Sequence, residues 1–176
     1  MIRTERLTLR PWRAEDAEDL AAINCDAETM RFFAAVMDRE GSDGHLARMM
    51  AHQDEHGFGM WAAERDGHAI GIVGLQHVPA HRAPEPPPLV EIGWRFHRAH
   101  WRQGYAFEGA TAAVDYARDV LRLPSIVALT ARINAPSRAL MQKLGMTHDE
   151  AADFDHPSVP VDSPLHRHVV YRLRFT

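Results

Sequence analysis

The chain of 176 residues carries a net charge of −4, with 45% hydrophobic and 25% charged residues, so its apolar content suffices for one domain spanning residues 1–176. The negative charge argues against a general nucleic-acid-binding protein, which would show a basic surface. No apolar run approaches the roughly 20 residues of a membrane-spanning helix, and the first residues form no hydrophobic signal segment. Because the one cysteine, Cys25, has no internal disulfide partner, we expect a cytoplasmic protein in which this thiol is buried.

The residue patterns predict strands and helices along the whole chain. In order, these are strand 4–10, helix 14–24, helix 43–56, strands 60–64 and 69–78, strand 89–96, helix 107–121, strand 125–130, helix 136–144, and strands 146–150 and 166–175. Ser42 is the predicted cap of the second helix, and the Asp66-Gly67 pair is typical of a hairpin turn. Surface loops are predicted at 79–88, which is rich in proline, and at 151–165, which is acidic.

A glycine-containing stretch at 101–109 joins the strand at 89–96 to the helix at 107–121. Gly104 allows the backbone a positive φ angle or a close approach to a ligand. No acidic residue lies between positions 97 and 107, and arginines crowd the approach to the stretch. Free N–H groups and the positive end of the dipole attract anions to a helix start. The stretch is therefore either an anion-binding site or an ordinary loop before a core helix.

A second stretch begins at Asn134 and opens the helix predicted at 136–144. Pro136 suits the first helical turn, and Gly145 suits the position just after the helix end. Ser137 lies in the first turn, where its hydroxyl can point out of the helix start. The amide of Asn134 can cap the helix, contact a ligand, or do both.

These two stretches resemble the two acyl-CoA motifs of the GNAT superfamily of acyl-CoA-dependent N-acyltransferases. The first resembles the pyrophosphate-binding loop, Gln/Arg-x-x-Gly-x-Gly/Ala, through Gly104 and Ala106, with Trp101 in the place of the Gln or Arg. The second is similar through Asn134, Ser137 and the Lys-x-Gly-Met that follows. The string Trp-x-x-Gly-Tyr-Ala-x-Glu and an N-terminal Arg-Leu-Thr-Leu-Arg-Pro-Trp resemble the RimJ/RimL-type branch. The resemblance covers nearly the whole chain.

The resemblance implies a mixed α/β (α+β) fold, in which a largely antiparallel, twisted sheet of about seven strands is flanked by about four helices. The sheet would splay between the strands at 89–96 and 125–130, and the acyl-pantetheine arm of acetyl-CoA would lie in that splay. The implied cofactor-binding residues are Ile92, Gly93, Trp94, Arg102, Gln103, Gly104, Tyr105, Ala106, Phe107, Asn134, Ser137 and Met141.

Two residues, Glu91 and Ser137, are predicted to be catalytic. Acylation of an amine by a thioester requires that the amine lose a proton and that the departing thiolate gain one. In the branch that the chain resembles, a Glu on this strand is the usual candidate for the base; otherwise Glu91 is a solvent-facing or strand-pairing residue. Ser137 would hold the cofactor sulfur and help protonate the thiolate, or be an ordinary first-turn serine. Many superfamily members carry a tyrosine acid four residues later, but Met141 stands there and cannot donate a proton.

Two further interpretations come from other classes of function. His52-x-x-Glu55-His56 matches the inverted zinc-peptidase string, and its histidines would share a helix face. The sequence identifies no third ligand, so we expect no metal. A non-catalytic acyl-CoA-binding or interaction module would keep the cofactor site, but Glu91 and Ser137 argue against it.

The sequence thus predicts an N-acetyltransferase that moves an acetyl group from acetyl-CoA to a primary amine by direct attack in a ternary complex. The amine is a protein N-terminus or a small molecule. The expected partners are the CoA thioester and the amine acceptor, with no nucleic acid and no membrane. The chain is expected to be a monomer or a homodimer.

Overall fold

The computed structural model describes residues 1–79 and 89–175. The proline-rich loop predicted at 79–88 falls, apart from Pro79, outside these residues. The described residues form nine strands and four α-helices. They are β1 (Ile2–Arg3), β2 (Thr8–Arg10), α1 (Ala17–Asn24), α2 (Arg39–His56), β3 (Met60–Arg65), β4 (His68–His77), β5 (Val90–Phe96), α3 (Tyr105–Asp119), β6 (Ser125–Ala131), α4 (Ala135–Lys143), β7 (Thr147–His148), β8 (Phe154–Asp155) and β9 (Arg167–Arg174). Short 3-10 helices lie at Ala14–Asp16, Arg98–His100 and Glu150–Ala152.

One sheet contains all these strands, in the order β1-β2-β3-β4-β5-β6-β9-β7, with β8 also paired to β9. Every pairing is antiparallel except that of β5 with β6. The largely antiparallel mixed fold predicted above is therefore confirmed. Two strands are added to the expected seven. The strand predicted at 4–10 is replaced by β1 and β2, joined by a turn in which Thr4 bonds to Leu7, and the predicted acidic loop contains β8.

The start of α2 was predicted too late. The expected start at residue 43 followed from Ser42 as the cap, while Gly41 and Gly44 lower the helix propensity of the first turns. In the structure Asp38 caps the helix by accepting a hydrogen bond from the N–H of Gly41 at 2.8 Å. Ser42, the predicted cap, is fully buried, and its hydroxyl accepts a hydrogen bond from Asn24. Tertiary packing therefore overrides the weak local propensity here.

Two other local predictions are confirmed and one is wrong. Asp66 and Gly67 have φ angles of 53° and 85°, as the predicted two-residue hairpin turn requires. Gly57 ends α2 with a φ of 73°. Cys25, expected to be buried, is exposed because it follows the last residue of α1 at the surface.

Helix α3 packs against the sheet through small residues, and Ala110, Ala113 and Ala117 are fully buried. Gly109 belongs to the same face. A Cβ atom at this position would lie 3.0 Å from Cγ1 of Val73 on β4. Glycine in a helix costs about 1 kcal/mol relative to alanine, and here it permits the close approach of α3 to the sheet.

A buried ion pair ties β2 to the turn before α1. The guanidinium of Arg10 donates to both carboxylate oxygens of Asp16, at 2.7 and 2.8 Å, and also to Glu64 on β3. Burial raises the pKa of the Asp16 carboxyl, but hydrogen bonds from Arg10 and from the N–H of Arg13, together with their charges, outweigh it, so the pKa lies below its usual value. The pair therefore holds its charges inside the protein at neutral pH.

Strands β5 and β6 meet at only one paired position, Glu91 with Val127. On their outer edges both strands are fully paired, β5 with β4 and β6 with β9. The sheet is thus interrupted in its middle, between the two strands for which a splay was predicted. None of the helices in the described part of the chain is long and apolar enough to cross a membrane.

Candidate active site

A cavity of about 1260 Å³ opens between β5 and β6 and extends to α2 on one side and to the starts of α3 and α4 on the other. Both predicted catalytic residues line it. So do all the predicted cofactor-binding residues except Gln103, whose side chain donates to the carbonyl of Ala99. Their roles remain predictions, but the structure brings them into one space.

The gap between β5 and β6 exposes backbone groups of β5. The N–H of His97 donates to Ile70 on β4, and neighbouring residues of a strand point their N–H groups to opposite edges. The N–H of Trp94 therefore points to the β6 side, beyond the last residue paired with β6. It offers a donor to an extended ligand in the gap.

The start of α3 forms the second wall. Gly104 has a φ of 87°, one of the two possibilities expected from its sequence, and no side chain in the described part of the chain caps the helix. The first N–H groups of any α-helix lack an intrahelical partner, and in α3 no side-chain cap takes its place. Arg6 holds the loop in place, because it donates to the carbonyl of Gln103 at 2.8 Å and pairs with Glu108 at 2.7 Å.

Two cations accompany these amides. Arg102 lines the cavity with a φ of 60°, and Lys143, the lysine of the second motif, places its ammonium group 4.0 Å from the ring centre of Phe107. Uncapped helix amides and two cations fit a pyrophosphate group. The residues present therefore match the phosphate end of an acyl-CoA.

The start of α4 forms the third wall. The side chain of Asn134 accepts from the N–H of Ser137 at 3.2 Å and donates to Thr130 at 2.9 Å. Its capping role is therefore confirmed, and its contact with the pantetheine arm stays a prediction. The hydroxyl of Ser137 has no hydrogen bond to another described residue and lies at the cavity wall. Met141 is buried beside it.

Glu91 is one of two carboxylates that line the cavity among the described residues, the other being Glu28. Gln76, opposite Glu91 on β4, donates to a carboxylate oxygen of Glu91 at 3.0 Å and so orients the group. Glu28 lies on the connection before α2, more than half exposed and paired with Arg31. The sequence did not indicate Gln76, because its pairing with Glu91 depends on the register of β4 with β5, on either side of the loop at 79–88.

The α2 side of the cavity is positively charged. Arg95 lies four residues beyond Glu91 on the same face of β5, and Arg48 extends from α2. The Arg95 guanidinium stacks 4.0 Å above the ring centre of Phe33 and donates to Asn24, while its Nε has no hydrogen-bond partner among the described residues. Burial lowers the pKa of Arg95 to about 10, so the group still carries its charge at neutral pH.

The pKa of His45 on α2 responds to the positive charges of these two arginines. Burial and then the charges of Arg95 and Arg48 lower the pKa of His45 to about 4. The imidazole is therefore neutral at pH 7. No carboxylate among the described residues compensates Arg95, so this part of the cavity suits an anionic group.

Three histidines form a cluster at the edge of the cavity: His52 and His56 of α2, and His77 at the end of β4. Burial lowers the pKa of His52 in spite of a hydrogen bond to the carbonyl of Phe58, and burial likewise lowers that of His77. The sequence could not indicate His77, because the pairing of α2 with the end of β4 arises only in the folded chain.

Gly104→Val is expected to weaken acetyl-CoA binding by at least tenfold, about 1.4 kcal/mol. A Cβ at this position meets Arg6 at 3.1 Å, and a β-branched residue resists the positive φ that exposes the helix amides. Calorimetry measures the affinity. Gly67→Val is the matched control, because Gly67 has a similar φ of 85° but lies in the turn between β3 and β4, does not line the cavity, and has open space around it. Equal affinity in a folded Gly104→Val protein would contradict the loop's role.

Comparison with known proteins agrees with this geometry. The family model described as an acetyltransferase (GNAT) domain matches residues 6–147. A curated relative, the FsC-acetyl coenzyme A-N(2)-transacetylase of Aspergillus fumigatus, is 31% identical over 178 residues, which cover 97% of this chain and 76% of the relative.

Solved structures show the same fold. An acetyltransferase from Agrobacterium tumefaciens superposes with a TM-score of 0.77 at 30% identity, covering 99% of this chain and 94% of that one. The yncA protein of Salmonella typhimurium, solved with its cofactor acetyl-CoA, superposes with a TM-score of 0.73 at 19% identity, covering 98% and 95% of the two chains. With a family model that matches most of its length and a relative at this level of identity, the chain belongs to the GNAT acetyltransferase family.

Proposed function

We propose that this acetyltransferase moves an acetyl group from acetyl-CoA to a primary amine whose other end carries a negative charge. Acetyl-CoA is the co-substrate, and the amine attacks it directly in a ternary complex. The observation that carries the acceptor assignment is the buried cation Arg95, without a carboxylate partner among the described residues, on the same strand face as Glu91.

In this proposal each cavity wall has one task. The helix amides of the loop after Gly104, with Arg102 and Lys143, bind the pyrophosphate. The backbone of β5 at Trp94 aligns the pantetheine arm. The acceptor nitrogen forms a bond to the acetyl carbon as the carbon–sulfur bond breaks, Glu91 takes the proton of the amine directly or through water, and the thiolate leaves with a proton delivered near Ser137.

The acceptor's anionic group would lie near Arg95 and Arg48. Four residues of a strand span about 13 Å, which is the spacing along β5 between the backbone positions of Glu91 and Arg95. A hydrogen bond to a charged group contributes roughly 1.5 to 3 kcal/mol. This argues against a polyamine or an aminoglycoside-like compound, which would bring further positive charge to Arg95.

The RimJ/RimL-type branch is supported by the string from Trp101 to Glu108. Glu108 itself, the last residue of that string, holds Thr4 and Arg6. This contact joins the loop to the N-terminal part of the chain, which also resembles that branch. A protein N-terminus and a small acidic amine are both compatible with membership of this branch.

Pairs of acceptors that differ only in charge test the acceptor assignment. The acceptors are primary amines joined by linkers of graded length to a carboxylate or to the matching carboxamide, and release of free thiol from acetyl-CoA measures the rate. We expect kcat/KM for the best carboxylate to exceed that of its carboxamide by roughly tenfold or more. Equal kcat/KM values for the carboxylate and the carboxamide in every pair would contradict the acceptor assignment.

Arg95→Met is expected to abolish this preference mainly through the KM of the carboxylate acceptor, and to leave acetyl-CoA affinity unchanged. Arg95→Lys, which keeps the charge, should retain part of the preference and guards against a folding defect, because Arg95 is buried. Thiol release that fails with every amine would instead contradict catalysis itself and favour the non-catalytic module.

Ser137→Ala is expected to lower kcat by about 10- to 10²-fold, with a smaller effect on KM. The Ser137 hydroxyl has no described protein partner, so it is available to the sulfur, and serine is too weak an acid for a larger effect. A CoA thiol resembles a cysteine thiol, with a pKa of roughly 8.5. An acyl donor with a better leaving thiol should therefore recover part of the loss. An equal loss for good and poor leaving groups would make Ser137 only a helix-start residue.

A further inference from the structure

The histidine cluster has no task in the acetyl transfer described above. The ring centres of His52 and His56 lie 4.4 Å apart, those of His56 and His77 lie 4.5 Å apart, and those of His52 and His77 lie 5.6 Å apart. One nitrogen of each ring lies within 4.8 Å of one nitrogen of each of the others. Three imidazoles from two separate elements thus lie side by side.

From this geometry we infer that His52, His56 and His77 form a binding site for a divalent transition metal, with Zn²⁺ as the best fit. Imidazole nitrogen is a preferred ligand of Zn²⁺, which binds it at about 2.0–2.1 Å. Nitrogens at that distance in a tetrahedral site are about 3.3 Å apart. The three side chains need to close by about 1.5 Å from their largest separation, and His56, the exposed member of the three, is the least confined of them.

The surroundings of each histidine fit this role. His52 Nδ1 lies 3.1 Å from the carbonyl oxygen of Phe58, and this contact fixes the tautomer in which Nε2 carries the lone pair. Nδ1 of His77 is buried with no hydrogen-bond partner among the described residues, which is costly unless a ligand engages it. Glu55 places a carboxylate oxygen 3.8 Å from Nε2 of His56, where it can support that ring.

One contact opposes metal binding. The N–H of His77 donates to Nε2 of His52 at 3.2 Å, so a metal must displace this long hydrogen bond. The site therefore closes around the ion and is not preformed. His52 and His77 line the cavity, so a water molecule from the cavity would be available to complete the coordination of a bound ion.

Calorimetry with Zn²⁺ on the intact chain tests the site. The wild-type protein is expected to bind one equivalent tightly, and His56→Ala and His77→Ala are expected to weaken that binding roughly 100-fold or more, since each leaves two of three ligands. His68→Ala is the matched control, because His68 is an exposed histidine at the opposite end of β4 from His77 and does not belong to the cluster. Its affinity should equal that of the wild type.

Two further measurements keep the test decisive in a chain with 12 histidines. Co²⁺ bound at the cluster should show the intense visible absorption of a four-coordinate ion in the wild type and in His68→Ala, but not in His56→Ala. Zn²⁺ should raise the melting temperature of the wild type and not that of His56→Ala. His56 is partly exposed, so its removal should leave the fold intact. Zinc affinity that is equal in the wild type and in His56→Ala, or no zinc binding in the wild type, would overturn the proposal.

Discussion

Glu91→Gln is expected to lower kcat/KM for the amine by roughly 10²-fold or more, while the affinity for acetyl-CoA stays nearly unchanged. Glutamine keeps the size of the side chain and can still accept the hydrogen bond from Gln76, so the geometry of the strand pair is retained. What is lost is the group that accepts a proton from the amine. Steady-state rates with a saturating donor, combined with calorimetry of acetyl-CoA, separate the two effects.

Glu28→Gln is the matched control for this experiment. It removes the other carboxylate that lines the cavity among the described residues, but Glu28 is more than half exposed and lies on the connection before α2. We expect kcat/KM within about twofold of the wild type, because the Glu28 carboxylate is exposed to solvent and paired with Arg31. If the Glu91→Gln variant matched the wild-type rate at every pH, Glu91 would not be the base.

Arg10→Met is expected to lower the free energy of unfolding by about 3–5 kcal/mol at pH 7, because it leaves Asp16 buried with an uncompensated charge. The side chains of Arg10 and Asp16 are only 4% and 6% exposed, so water cannot replace the lost partner. Denaturant titration measures the loss. Arg39→Met is the control, since the Arg39–Glu18 pair is more than half exposed on both sides and such pairs contribute about 1 kcal/mol or less.

The loss should depend on pH in a defined direction. In the wild type the pKa of Asp16 is lower in the folded chain than in the unfolded one, so the pair contributes its full stability above the ordinary carboxyl pKa and loses it as the pH falls through the folded value. Without Arg10, burial favours the protonated carboxyl. The difference between wild type and variant should therefore be larger at pH 7 than at pH 4. A difference that does not change with pH would show that Asp16 does not depend on Arg10 for its charge.

The parts of the fold that the sequence predicts well are those with strong local chemistry. The Asp66-Gly67 turn, Gly104 at the start of α3 and Pro136 in the first turn of α4 each require backbone angles that few other residues supply. The two motifs also located the cavity, since Gly104, Ala106, Asn134 and Ser137 all line it. The sequence was sufficient at these points because the backbone conformation depends on the same few neighbouring residues that indicate it.

What could not be predicted depends on contacts between distant segments. Ser42 reads as a helix cap, but it is buried against Asn24, and the helix begins earlier. In the sequence Arg95 is one of several basic residues before the loop. Its contacts with Phe33 and Asn24, which arise only in the folded chain, show that its charge is buried. His77 joins two histidines of α2 because β4 ends beside that helix. The spacing of these residues along the chain does not predict such contacts.

Because β5 and β6 share a single paired position, bound acetyl-CoA would stabilise the sheet as well as take part in the reaction. In the free enzyme the amide of Trp94 faces a gap, so it should exchange its hydrogen with solvent quickly, whereas amides on the β4 edge of the same strand should exchange slowly. A bound acyl chain would bridge the two strands and slow that exchange. Hydrogen exchange measured with and without acetyl-CoA would then show protection across the centre of the sheet, as if a further strand had been added. The parts of the sheet on either side of the gap would also separate less often while acetyl-CoA is bound.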